Sequence, residues 1–259
     1  MKNAKTINII GLVGFPSVKS GDDLAELINR TAQEQGVPIE DRDILVVAQK
    51  IISKAEGRVF QLRNVNPSEK ARKLAKITLK NPNFVELVLQ ASRRIVKISS
   101  ETFIVEDNNG IICINAGIDK SNIEGDDSYA LLPSNIDDSA RRIRQKIMEA
   151  TGKNVAVIIS DTYSRPFRKG QVEYAIGIAG INPFRDYRGK EDLYNYVLKV
   201  KNIAIVDEIA AAAELVMGQG SEGIPVAIVK SFDRAELAEK CAIKDLFISK
   251  QEDLFKGTL

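Results

Sequence analysis

The run Val157-Ile158-Ile159-Ser160-Asp161-Thr162 carries a carboxylate and a hydroxyl directly behind apolar residues, and three cations follow at Arg165, Arg168 and Lys169. Carboxylate and hydroxyl oxygens suit hard cations such as Mg²⁺ or Mn²⁺. Guanidinium and ammonium groups suit phosphate. Sheets present ligands at strand ends, and an acid at a strand tip with bases just beyond fits a metal next to a phosphate. The plainer reading has Asp161 capping the next segment and the cations on a solvated face.

Two further stretches share this character. Asn115-Ala116-Gly117-Ile118-Asp119-Lys120-Ser121-Asn122 reads as a strand exit with an acid and two amides, or as an ordinary turn. The segment from Val46 to Arg58, VVAQKIISKAEGR, reads as a strand exit carrying lysines. Gly218-Gln219-Gly220-Ser221-Glu222-Gly223 has the spacing of a dinucleotide fingerprint, but it follows an expected helix and leads into an expected strand, the reverse of a Rossmann site. It is either a glycine stop plus a turn or a loop whose backbone approaches a ligand. No Walker A pattern occurs, so a P-loop is excluded. These residues by themselves point to an enzyme that handles metal and phosphate.

Composition narrows the chemistry. The 259-residue chain contains no histidine, which removes the commonest general base and metal ligand and excludes a histidine-based triad. A formal charge of +2 argues against nucleic acid or an anionic membrane as partner. Cys113 and Cys241 are far apart, each beside apolar residues, and suit reduced packing cysteines in a cytoplasmic protein. No apolar run reaches the roughly 20 residues that a membrane helix needs.

The elements that must position these groups alternate irregularly. Strands are expected over 6–13, 44–48, 155–159, 197–205 and 226–229. Helices are expected after Asp22 or Asp23 with Gly36 as stop, from Asn66-Pro67-Ser68-Glu69 with Asn66 as cap, from Asn81-Pro82, from Asp137 or Asp138 to Gly152, and from a capping Asp207 to Met217. Asp107-Asn108-Asn109-Gly110 between apolar runs predicts a hairpin. The last 25 residues look like short helices. The pattern indicates an α+β protein with mixed sheets and flanking helices rather than a doubly wound sheet.

The chain resembles the coenzyme F420:L-glutamate ligase family (F420-0:γ-glutamyl ligase). The matching blocks are GFPSVKSGDDLAELI, VVAQKIISKAEGR, NAGIDKSN, VIISDTYSRPFRKG, AIGIAGI, KEDLY and VDEIAAAAELVMGQGSEGIP, in family order from Gly14 to roughly Val229. The resemblance implies a non-Rossmann α+β fold, an intertwined homodimer, and one catalytic unit over 1–259 that divides at most into two interleaved subdomains. It implies GTP-dependent addition of L-glutamate to F420-0 through an acyl phosphate, then of a γ-linked second glutamate, with release of GDP and phosphate. Two divalent ions per site, Mg²⁺ or Mn²⁺, and K⁺ are implied as cofactors. Phosphoryl transfer needs positioning and charge neutralisation more than a protein nucleophile, so the missing histidine is no obstacle.

Carried over by position, Asp119 and Asp161 are implied ligands of a first metal, and Thr162 and Gln219 of a second. Phe15, Pro16, Ser17 and Val18, with Gln49, Lys54 and Asn122, are implied nucleotide contacts. Met217, Gly218, Gln219, Gly220, Ser221, Glu222, Gly223 and Ile224 match the loop that wraps the nucleotide. Two positions depart from the family pattern. Gln219 stands where some relatives have glutamate, so the second metal loses one negative charge. Tyr163-Ser164 stand where a glycine often precedes the arginine, which brings Tyr163 within consideration as a substrate contact. An amide ligase for another carboxylate, and a nucleotide-binding protein without turnover, are the alternatives.

Overall fold

The computed structural model describes residues 5–230, 232, 235–249 and 251–253. In chain order the elements are β1 (Asn8–Gly11), α1 (Leu24–Glu34), β2 (Ile44–Ala48), α2 (Gln49–Ala55), β3 (Val59–Gln61), α3 (Glu69–Thr78), α4 (Pro82–Gln90), β4 (Ser92–Ile98), β5 (Phe103–Asp107), β6 (Ile112–Ile114) and β7 (Ser128–Ala130). They continue with α5 (Ile136–Thr151), β8 (Ala156–Arg165), β9 (Arg168–Ala179), β10 (Phe184–Asp186), β11 (Asn202–Ala204), α6 (Ile205–Met217) and β12 (Val226–Lys230). The α+β character expected of the chain is what the structure has.

The chain divides into two compact units. Among the described residues, the first takes those within 5–17, 23–48 and 137–246, and the second those within 18–22, 49–136 and 247–253.

The first unit is built on a five-stranded sheet of order β1-β12-β2-β8-β9, in which β2 and β8 are parallel and the other pairs antiparallel. Its central strands β2 and β8 begin with unbroken apolar runs because both faces are covered. Helix α6 lays Val206, Ile209, Ala210, Ala213 and Met217 on a core that includes Ile158, Ala175 and Ile178. That i, i+3, i+4, i+7 spacing is a one-sided helix stripe. Helix α1 starts where Asp23 accepts from the Ala25 and Glu26 amides, and Gly36, at φ 67°, follows its end. Strands β10 and β11 form a separate antiparallel pair.

The second unit holds a three-stranded sheet β4-β5-β6 and the pair β3-β7. Its core joins Ala71, Ala75, Val85, Leu87 and Val88 of α3 and α4 to Phe103 and Val105 of β5. The β5–β6 hairpin forms at the expected turn. The buried Asp107 closes it, its Oδ1 accepting from the amides of Asn109 and Ile111.

Several boundaries differ from the sequence reading. Asp161 and Thr162 do not lie past a strand: β8 runs on through both to Arg165, because β9 returns alongside it. The sequence hides β9, whose first half is polar and whose second half alternates alanine and glycine with isoleucine. The strand expected over 197–205 shrinks to β11, since Ile205 already belongs to α6. Asp207 therefore sits in the first turn of α6 rather than capping it, and spends its carboxylate on the Ala175 amide. Ser68, not Asn66, caps α3, accepting from the Ala71 amide. Of the short helices expected at the end, the described residues contain one 3₁₀ turn, Ile243–Leu246, and residues 254–259 lie outside them.

Candidate cation and nucleotide site

In the first unit the site is made by the β8–β9 hairpin and the loop after α6. Pairing runs Ile159↔Gly177 and then Ser160↔Ala175, so Ile176 is an extra residue on β9. A bulge of this kind sharpens the local twist and re-aims the side chains beyond it. The next pairs are Asp161↔Tyr174 and Thr162↔Glu173. Directly opposed residues share a face of the sheet, and the Thr162 hydroxyl lies 2.9 Å from Glu173 Oε2.

Gln219 joins them from the third direction. Gly218 ends α6 at φ 69° and ψ 174°, a conformation open to glycine. The chain then turns so that Gln219 Oε1 stands 2.9 Å from Thr162 Oγ1, while Gln219 Nε2 donates to Glu173 Oε2 at 3.1 Å. Burial pushes the Glu173 carboxyl above its ordinary value, with the charge of Glu214 adding to the rise and Ser160, Thr162 and Gln219 opposing it. Within the loop, the Gly220 amide donates to Glu222 Oε2 at 2.7 Å, so a carboxylate already occupies one backbone donor. Ser221, Glu222 and Gly223 are exposed and Met217 is buried in the core. Asp161 is half-buried, and Tyr163 stacks on Tyr174 with ring centroids 6.2 Å apart. At the hairpin tip Arg165 faces Arg168 across the turn, and Phe167 is 92% exposed.

The second unit holds the other group. Asn115, Ala116 and Gly117 are all left-handed, at φ 52°, 57° and 66°, and this sharp turn leads into Asp119, which bridges Ala130. Asp119 Oδ1 accepts from the Ser121 amide at 2.8 Å, and its Oδ2 accepts from the Ser121 hydroxyl at 2.8 Å and from Lys50 at 2.7 Å. Burial pushes the Asp119 carboxyl up, but the bonds from Lys50 and Ser121 outweigh it, and the carboxyl sits below its ordinary value. Lys50 and Lys54 are one turn apart on α2. Burial first, then the charge of Lys50, pull the Lys54 ammonium below its ordinary value, with Glu124 opposing. Gln49 is buried and accepts from Ser53 at 2.9 Å, so its side chain braces α2. Asn122 is exposed at φ 54°, and Val18 is buried. In the first unit Phe15 and Pro16 are half-buried and Ser17 is exposed, just after the left-handed Gly14.

The structure thus joins Thr162 to Gln219 and adds two residues that the sequence reading missed, Glu173 and Lys50. Glu173 was visible only as a polar residue inside an unrecognised strand. Lys50 lies within VVAQKIISKAEGR, and nothing in its spacing singles it out.

The donors at these positions are all oxygen: carboxylate, hydroxyl and amide. Among the described residues no three carboxylate, cysteine or histidine side chains gather in ligating geometry. Within the first unit, an ion at Thr162 and Gln219 would take neutral protein oxygens and complete its shell with phosphate and water oxygens, as Mg²⁺ commonly does at nucleotide sites. The residues fit such an ion. Among the described residues no helix is long and apolar enough to cross a membrane.

An enzyme of the acid–amino-acid ligase class is what the chain's relatives define. The chain belongs to the F420-0:Gamma-glutamyl ligase family, whose sequence model matches residues 13–231. It is 42% identical to the coenzyme F420:L-glutamate ligase of Methanothermobacter thermautotrophicus, over 97% of this chain and 99% of that protein. It is 41% identical to the protein of the same name from Archaeoglobus fulgidus, over 98% of each. The protein so named from Methanocaldococcus jannaschii is 42% identical over 99% of this chain and 100% of its own length. The family resemblance read from the motif blocks is borne out.

Proposed function

We propose that the protein adds L-glutamate to coenzyme F420-0 at the expense of GTP, and then a second glutamate through a γ-linkage. The full-length likeness to proteins named for the first of these reactions carries the reading. A carboxylate is a poor electrophile. Transfer of the GTP γ-phosphoryl to it gives an acyl phosphate and GDP, and the glutamate amine then displaces phosphate to form the amide. Bound Mg²⁺ or Mn²⁺ would screen the repulsion between carboxylate and triphosphate.

The chain's own residues are assigned as follows. Asp119 and Asp161 hold the first ion, and Thr162 and Gln219 the second. Phe15, Pro16, Ser17 and Val18, with Gln49, Lys54, Asn122 and the loop Met217–Ile224, hold GTP. Two ammonium groups one turn apart on α2, Lys50 and Lys54, support an anionic ligand there. Phosphate arriving at the glycine loop would compete with Glu222 for the Gly220 amide. K⁺ and a homodimer complete the proposal.

Incubation with F420-0, L-glutamate, GTP, Mn²⁺ and K⁺, followed by mass detection, tests it. Glutamylated products from the wild type, absent with Asp161→Asn, are expected. GDP without glutamylated product would move the assignment to another acceptor, and no nucleotide turnover would leave a binding protein.

A further inference from the structure

We propose that Glu173 is a positioning residue that keeps the oxygens of Thr162 and Gln219 free as acceptors for the second cation. The inference rests on the assignment of Thr162 and Gln219 to that cation.

Proton counting carries it. The Thr162 hydroxyl has one hydrogen and two acceptor lone pairs, and the Gln219 amide has one acceptor oxygen and one donor nitrogen. Two acceptors compete for the single hydroxyl hydrogen, Glu173 Oε2 and Gln219 Oε1, each 2.9 Å away. The carboxylate is the stronger acceptor, because charge-assisted bonds are about twice as strong as neutral ones. The same Oε2 also takes a hydrogen from Gln219 Nε2 at 3.1 Å. That bond fixes the amide orientation, with Oε1 turned to Thr162.

With both hydrogens drawn to Glu173, Thr162 Oγ1 and Gln219 Oε1 face each other as two bare oxygens. A pair of acceptors 2.9 Å apart repels unless something positive lies against both. An octahedral ion with oxygen bonds of about 2.0–2.1 Å places adjacent ligand oxygens about 2.9 Å apart. Without Glu173 the hydroxyl would donate to Gln219 Oε1, and the pair would satisfy itself. Glu173 is 4% exposed, beneath the more exposed pair, which is the place of a residue acting through its neighbours rather than as a ligand. Its place opposite Thr162 follows from the bulge at Ile176.

The test is calorimetric titration of Mn²⁺ into the full chain with GDP present, comparing wild type, Thr162→Val, Glu173→Gln, Glu173→Asp and the Thr162→Val/Glu173→Gln double variant. Loss of an outer-sphere partner costs metal affinity about 10- to 100-fold. Glu173→Gln is expected to weaken Mn²⁺ by that factor. Glu173→Asp, which keeps the charge but shortens the reach, should weaken it similarly and serves alone if Glu173→Gln does not fold. The double variant should lose less affinity than the two single losses combined, because Thr162→Val already removes the hydroxyl part of the Glu173 effect and only the part through Gln219 remains. Wild-type affinity in both Glu173 variants, with Thr162→Val weakened, overturns the inference and leaves the cation assignment standing. Full binding by Glu173→Asp also overturns it, since charge rather than position would then suffice. Unchanged binding in Thr162→Val overturns the cation assignment itself, and the inference with it.

Discussion

Lys50 Nζ lies 2.7 Å from Asp119 Oδ2 and 2.6 Å from Ser121 Oγ, closing a triangle on the carboxylate proposed to hold the first ion. A divalent cation arriving at Asp119 must displace that ammonium. The pair is only partly buried, so it is worth up to about 1 kcal/mol, roughly fivefold in affinity. Lys50→Met is expected to tighten Mn²⁺ binding by up to about that factor while slowing turnover. Weaker binding in calorimetry would mean that Lys50 supports the ion rather than competing with it.

Gln219→Glu adds a negative charge beside Thr162, but places it within hydrogen-bonding distance of buried Glu173. Two carboxylates in contact raise each other's pKa and cost stability unless a cation intervenes. The variant should therefore melt below the wild type in EDTA and gain more from added Mn²⁺. A melting temperature unaffected by Mn²⁺ would count against a cation at Thr162 and position 219.

Asp207 offers a pH test on a residue that is not one of the proposed ligands. Burial raises its carboxyl above the ordinary value, and a single bond from the Ala175 amide opposes this. A raised folded pKa means stability that is present below the unfolded pKa and lost as pH rises through the folded one. Asp207→Asn keeps an acceptor for Ala175 and removes the charge. It should melt higher than the wild type at pH 8, with the gap closing as pH falls through the folded pKa. A gap independent of pH would show that the carboxylate is not penalised.

Gly117→Ala should cost about 1–3 kcal/mol. The glycine sits at φ 66°, and a Cβ there would stand 2.7 Å from Leu132 Cδ1 and 2.9 Å from its Cγ. Leu132 is 4% exposed and has little room to yield. Chemical denaturation reads the loss, and a variant as stable as wild type would show that the turn before Asp119 is compliant.

Arg168→Ala tests the hairpin tip. The residue is exposed beside Arg165, where no packing role competes with a ligand role. The KM for F420-0 should rise with little change in melting temperature. An unchanged KM removes Arg168 from the acceptor site.

What the sequence showed and hid follows from how each element is stabilised. Strands β2 and β8 are buried on both faces, so their apolar runs announce them. The caps at Asp23 and Ser68 use polar residues of fixed types, although Asn66 offered a rival for the second. β9 is held by pairing with β8 and by α6 pressed on its small residues, which are tertiary causes with no local signature. Because β9 was hidden, Asp161 and Thr162 looked like a strand tip and Glu173 went unnoticed. The link between Thr162 and Gln219 came from family motifs, since residues separated by a helix and three strands leave no periodicity to read.

The division of the chain has a consequence for its birth on the ribosome. β1 pairs with β12, Asn8 against Lys230, so the first strand of the five-stranded sheet must wait until Lys230 has emerged. Nearly all of the second unit's core lies between Leu62 and Leu131 and can condense long before that. Nascent chains should therefore acquire protease resistance from the inside outward, with the middle protected first and the two flanks together at the end.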